Sequence, residues 1–246
     1  MNLTSDYWQA SRSPRYSVLF ALPLLVLYQV LAAAVPAGPE GGVRNGADVM
    51  LQSVFMWVAG AWGPRLFMAC LVVAGLWLVL RDLRSHPGRL RSGVFAAMLA
   101  EAIGLALVFG FVVGGLTAAL LGEPPPLSMV QGGTAQLGRG TVLMLSLGAG
   151  IYEELLFRVV LVGLFAWVAR RVFGFRPLIA GTSATIAGAL VFSAFHYIGP
   201  YGDPWQVYSF VFRTIAGLFF SALYLTRGFG ITAWTHALYD VLLVLR

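Results

Sequence analysis

Residues 141–169 read TVLMLSLGAGIYEELLFRVVLVGLFAWVA. Apolar side chains occur on every side of a helix drawn through this stretch, and its length exceeds the roughly 20 residues needed to cross about 30 Å of hydrocarbon. Glu153, Glu154 and Arg158 interrupt it, and charges at such a depth require a polar protein interior. Six further runs carry the same pattern: Tyr16–Val35, Arg65–Leu80, Gly93–Leu121, Leu178–Ile198, Trp205–Thr226 and Phe229–Leu245. Val49–Ala59 is apolar but too short to span, and Gly60, Gly63 and Pro64 separate it from the Arg65–Leu80 run. The expected fold is all-α: a polytopic bundle of about seven transmembrane helices plus one short interfacial or re-entrant helix. It forms one integral-membrane domain over 1–246, with the densest ionisable motifs in 141–246.

Composition excludes the other classes. The 246 residues are 59% hydrophobic and 11% charged, against roughly 25% charged in soluble domains, and the mean hydropathy is +0.82. With 17 Phe, 9 Tyr and 7 Trp, the chain is too apolar for disorder. The net charge of +6 does not point to nucleic acid, because the basic residues sit between the apolar runs. Arg12 and Arg15 precede the first run; Arg81, Arg84, Arg89 and Arg91 fill the second connection, Arg170, Arg171 and Arg176 the fourth, and Arg227 the sixth. Every second connection is basic, which places the N-terminus in the cytoplasm and the C-terminus outside. A multi-pass protein of a prokaryotic cytoplasmic membrane is expected, its first run an uncleaved anchor. Cys70, within an apolar run, reads as a small buried residue. Gly110 and Gly114 read as a close-packing pair.

Within the runs lie Glu101, Glu153, Glu154, Arg158, His196, Arg213, His236 and Asp240. Glu154 and Arg158 are i and i+4 neighbours in the favourable order and read as an ion pair. Glu153, turned about 100° away on an α-helix, has no helical partner. His236 and Asp240, also i and i+4, share a face. Glu101 and Arg213 are expected to neutralise one another or another member of the set. His196 falls near the outer end of its run, whereas Glu153 and His236 lie nearer mid-depth, so only a tilted or broken helix brings them together.

A desolvated carboxylate can act as a general base toward water, and histidines can orient that water or donate to a developing oxyanion. One Glu, two His and a further polar group therefore suffice for amide hydrolysis without a covalent intermediate. Glu153, His196, His236 and Asp240 could alternatively hold zinc with an open position. No His-Glu-x-x-His or Gly-x-Ser-x-Gly motif occurs.

The order Glu153-Glu154-x-x-x-Arg158, then Phe192-x-x-x-His196, then His236-x-x-x-Asp240, each on a separate apolar run, resembles the CPBP (Abi) family of intramembrane endopeptidases. That family comprises CAAX-processing and bacteriocin-processing proteases and includes the type II CAAX prenyl endopeptidases. The resemblance runs from Thr141 to the C-terminus and takes in Gly217 and the Gly230–His236 segment. It implies Glu153 as the general base assisted by His196, His236 and the residue four later as the oxyanion site, and Glu154 and Arg158 as supporting residues. Asp240 departs from the family's usual asparagine. An ionised aspartate repels an oxyanion, so Asp240 serves either as a neutral acid or by orienting His236.

The expected function is an intramembrane endopeptidase acting on a membrane-delivered protein or peptide, with no cofactor in the favoured reading and zinc as the option. The expected partners are that substrate and the lipid bilayer. Two other classes fit the same buried groups: a transporter with a proton relay, and a catalytically silent immunity or scaffold protein.

Overall fold

The computed structural model describes residues 3–35, 42–123, 137–199 and 202–244, and no strand occurs among them. Helix α1 (Leu3–Arg12) precedes α2 (Pro14–Ala34), whose start is set by a proline in its first turn, where no intrahelical N–H is needed. Then come α3 (Gly46–Ala59), a 3₁₀ turn (Gly60–Trp62), α4 (Gly63–Ser85) and α5 (Ser92–Leu121). Next are α6 (Arg139–Gly148), a π-helical segment (Ala149–Val162) and α7 (Gly163–Arg171), together one helical passage. The chain ends in α8 (Pro177–Phe195), α9 (Val207–Arg227) and α10 (Phe229–Val244).

Among the described residues, five helical stretches are long and apolar enough to cross a membrane: Pro14–Ala34, Gly46–Ser85, Ser92–Leu121, Pro177–Phe195 and Val207–Arg227. Outward-facing side chains such as Trp57, Val58 and Phe111 are largely exposed, which a lipid environment accommodates and water does not. The protein is therefore an all-α, multi-pass integral membrane bundle. The seven expected spans map onto it with two changes. The run at 141–169 is divided by the π segment, and the last is a 16-residue helix, shorter than a full crossing.

Val49–Ala59 forms most of α3, which folds back on α4. Gly60 takes a positive φ of 53°, which a residue with a Cβ rarely adopts, and the Phe55 ring then lies tilted against Phe67 with centroids 5.4 Å apart. Helix α1 is not legible as an apolar run, because it is short and polar on one side. The connections 36–41 and 124–136, including Glu40, lie outside the described residues.

Helix α10 is central, packing against α2, α5, α6, the π segment and α9. Its Trp234 bridges two apolar clusters, one around Leu24, Tyr28, Met144, Tyr152 and Phe192, the other around Tyr16, Met98, Phe109, Phe220 and Ile231. The indole N–H of Trp234 donates to the Phe20 carbonyl at 2.6 Å, tying α10 to α2. Two packing expectations are corrected. Cys70 is exposed, because α4 is peripheral and buries only Gly63, Phe67, Val79 and Asp82. Gly110 does sit against Tyr239, but Gly114 has open space beside it, so the two do not act as a pair.

Candidate active site

The passage from α6 into the π segment is pressed tightly into the bundle. A Cβ on Gly148 would lie 2.6 Å from the Tyr28 ring and 2.8 Å from Asn45. One on Gly150 would collide with the Ala233 carbonyl and lie 2.7 Å from Ala237. Only glycine lets this backbone approach α2, α3 and α10 so closely. The π winding beyond Gly148 widens each turn, a distortion that frequently accompanies functional sites. It buries Ala149 to Glu154 and then Leu156 to Arg158, so both glutamates face the protein interior. The rotation expected for an α-helix does not describe this segment.

Glu153 is not partnerless. Its Oε1 accepts a 2.9 Å hydrogen bond from Asn45 Nδ2. Its Oε2 is buried, has no hydrogen-bond partner among the described residues, and faces His196 Nε2 at 3.9 Å. His196 lies at the C-cap of α8, and its Nδ1 is 2.9 Å from the Phe192 carbonyl. A carbonyl only accepts, so Nδ1 carries a proton, and Nε2 is the ring nitrogen turned toward Glu153. The mismatch in depth between His196 and the other groups is removed because α8 stops at Phe195 and leaves the imidazole free of the helix. The loop beyond returns to it: the Asp203 N–H donates to the His196 carbonyl at 2.9 Å.

The second half of the cluster is a chain of charged groups. Arg158 Nε lies 3.1 Å from Glu154 Oε2, and Glu154 Oε1 lies 2.7 Å from His236 Nδ1. Arg158 packs over Phe192 at 4.4 Å, and the His236 ring stacks on Phe220 with centroids 4.4 Å apart. His236 Nε2 points to Asp240 Oδ2 at 3.7 Å, beyond hydrogen-bond distance. Glu154 thus holds His236 as well as Arg158, a contact across 82 residues that helical spacing does not disclose.

The expected pairing of Glu101 with Arg213 is corrected. Glu101 accepts from Arg227 at 2.5 and 2.6 Å and from the Tyr7 hydroxyl at 2.6 Å. Arg213 pairs with Asp203 and donates to Ser209 Oγ at 2.6 Å. Long basic side chains reach between elements, so the partner is chosen by tertiary packing rather than by spacing.

Asn45 is the residue that sequence reasoning misses. Its signal is present: an asparagine directly before a helix is a favoured N-cap. Its Oδ1 accepts from Ala47 N at 2.9 Å, which leaves Nδ2 for Glu153. Among the described residues no three His, Cys, Asp or Glu side chains are grouped to hold a metal.

Residues 136–242 match the family model described as type II CAAX prenyl endopeptidase Rce1-like. This segment is similar to that family. Glu153, Glu154, Arg158, His196, His236 and Asp240 all fall inside the Rce1-like segment, and Asn45 falls outside it. The family so matched is one of endopeptidases, and the matched segment here is part of a multi-pass membrane protein. A search of curated proteins finds no match, and neither does one of solved structures.

Proposed function

We propose that this protein is an intramembrane endopeptidase that hydrolyses a peptide bond of a membrane-delivered protein or peptide, with Glu153 as general base. The observation that carries the reading is the buried Glu153 Oε2, unpartnered among the described residues and 3.9 Å from His196 Nε2. Two acceptors so placed suit one water, which donates a hydrogen to each across about 2.8 Å.

In the proposed reaction the water oxygen attacks the scissile carbonyl carbon and its proton passes to Glu153 Oε2. His236 donates from Nε2 to the resulting oxyanion, while its Nδ1–H remains bonded to Glu154. Asp240, close to the same ring, acts by retaining the imidazolium rather than by donating. As the tetrahedral intermediate collapses, the C–N bond breaks and Glu153 returns the proton to the leaving amine. A positioned base of this kind contributes about 10²–10⁴-fold.

The candidate substrates are a lipidated C-terminus, a leader or bacteriocin precursor, or a protein-sorting tail. The arginine-rich alternate connections support an N-terminus on the cytoplasmic side. The test compares peptide termini in membrane proteomes from cells carrying the wild-type protein and Glu153→Gln at matched abundance. Termini that appear only with wild type are expected and would identify the substrate. Identical sets in hosts that span these substrate classes refute the proposal.

A further inference from the structure

We propose that Asn45, from the part of the chain outside the Rce1-like segment, is a positioning residue that divides the Glu153 carboxylate into one held and one working oxygen. The inference rests on the assignment of Glu153 as the general base.

The orientation of the Asn45 amide is set by its own helix. Its Oδ1 caps α3 by accepting from Ala47 N, so the NH₂ group must face Glu153, where it meets Oε1 at 2.9 Å. A carboxylate gripped on one oxygen cannot swing, and Oε2 alone is presented to His196. Asn45 is itself immobilised. Its backbone N–H donates to the Tyr28 hydroxyl at 3.2 Å, and that hydroxyl donates to Asp48 Oδ2 at 2.7 Å. Asp48 is fully buried and held further by Arg44 at 2.9 Å and Gln52 at 2.6 Å. This is more polar structure than capping one helix requires, because Asn45 and Glu153 are 108 residues apart. The other charged or titratable groups acting on Glu153 are His196 from the end of α8, His236 and Asp240 from α10, and Arg158 from its own segment.

Asn45→Asp separates the two duties of the residue. Aspartate caps a helix as well as asparagine does, so α3 is kept, but a carboxylate replaces the donor against Glu153 Oε1. Two carboxylates in contact retain one proton to higher pH. Asn45→Ser keeps the cap and removes the donor without adding charge.

The experiment is pH-difference infrared spectroscopy on the full chain in lipid nanodiscs, with Glu153 identified by the carboxyl band lost in Glu153→Gln. The expected result is an upward displacement of that titration by about one pH unit or more in Asn45→Asp, and a smaller displacement in Asn45→Ser, the latter with thermal unfolding near wild type. An unmoved titration in both variants overturns the inference. Cleavage of the substrate peptide revealed by the terminal proteomics is followed in parallel. Wild-type cleavage that survives in Glu153→Gln overturns the general-base assignment and this inference with it. Cleavage lost in Glu153→Gln but unchanged in Asn45→Asp overturns the positioning role alone.

Discussion

Removing Arg158 alone should harm the protein more than removing it together with the charge on Glu154. Both side chains are buried, at 2% and 0% exposure, and Nε and Oε2 are 3.1 Å apart. At an effective dielectric of about 20 their attraction is about 5 kcal/mol. Arg158→Met leaves the Glu154 carboxylate buried with only His236 against it, and breaking such a pair costs about 3–5 kcal/mol. The guanidinium nitrogens Nη1 and Nη2 have no hydrogen-bond partner among the described residues, so methionine removes two unsatisfied groups while keeping apolar contact with Phe192. In the double variant Glu154→Gln/Arg158→Met the neutral amide oxygen still accepts from His236 Nδ1. The remaining cost is then mainly the lost cation–π contact, about 1 kcal/mol. At roughly 2–4 °C per kcal/mol, the single variant should lose about 6–20 °C in Tm and the double only a few degrees. Thermal unfolding of the full chain in nanodiscs, followed by tryptophan fluorescence, reads both. A double variant as unstable as the sum of its singles would falsify the reasoning, because it would mean that no uncompensated charge had been created.

Gly150→Ala should cost about 1–3 kcal/mol and reduce cleavage, because its Cβ would push the π segment off Ala233 and Ala237; unfolding and turnover measured on the same preparation check this. Asp240→Leu should lower turnover by about 10²-fold, the scale of a lost oxyanion-site contribution. Asp240→Asn, whose amide can itself donate, should stay within about tenfold of wild type, and steady-state cleavage rates distinguish the two. Burial first, and then the neighbouring Glu101 carboxylate, raise the Tyr7 hydroxyl above its ordinary value. The folded state therefore keeps this proton after the unfolded chain has lost its own, and stability falls as pH rises beyond about 10. Tyr7→Phe should flatten that alkaline loss and cost about 1 kcal/mol at neutral pH, as measured by unfolding across a pH series.

Spacing along one helix is a sound guide where both partners lie on that helix. The pair Glu154 and Arg158 is an example, since four residues bring two side chains onto one face whatever surrounds them. It fails for Glu101 and Arg213, whose partners Arg227 and Asp203 belong to other segments. His236 shows both cases in one residue. Its face-sharing with Asp240 is legible, but the shorter contact is to Glu154 on the π segment, at 2.7 Å against 3.7 Å.

The sequence by itself determined that this is an all-α membrane protein and that Glu153, Glu154, Arg158 and His236 lie inside it, although it left the buried Asp48, Asp82 and Arg227 in the connections. Both rest on local quantities: the length of an apolar run against the thickness of hydrocarbon, and the free energy of placing a charge there. Only the tertiary structure decided how those groups meet. The wide π winding depends on the close seating of Gly148 and Gly150 against neighbouring helices, and His196 reaches Glu153 because α8 ends one residue before it. The Asn45 amide meets Glu153 because α3 begins beside the π segment, a relation between residues 108 apart that no local pattern encodes.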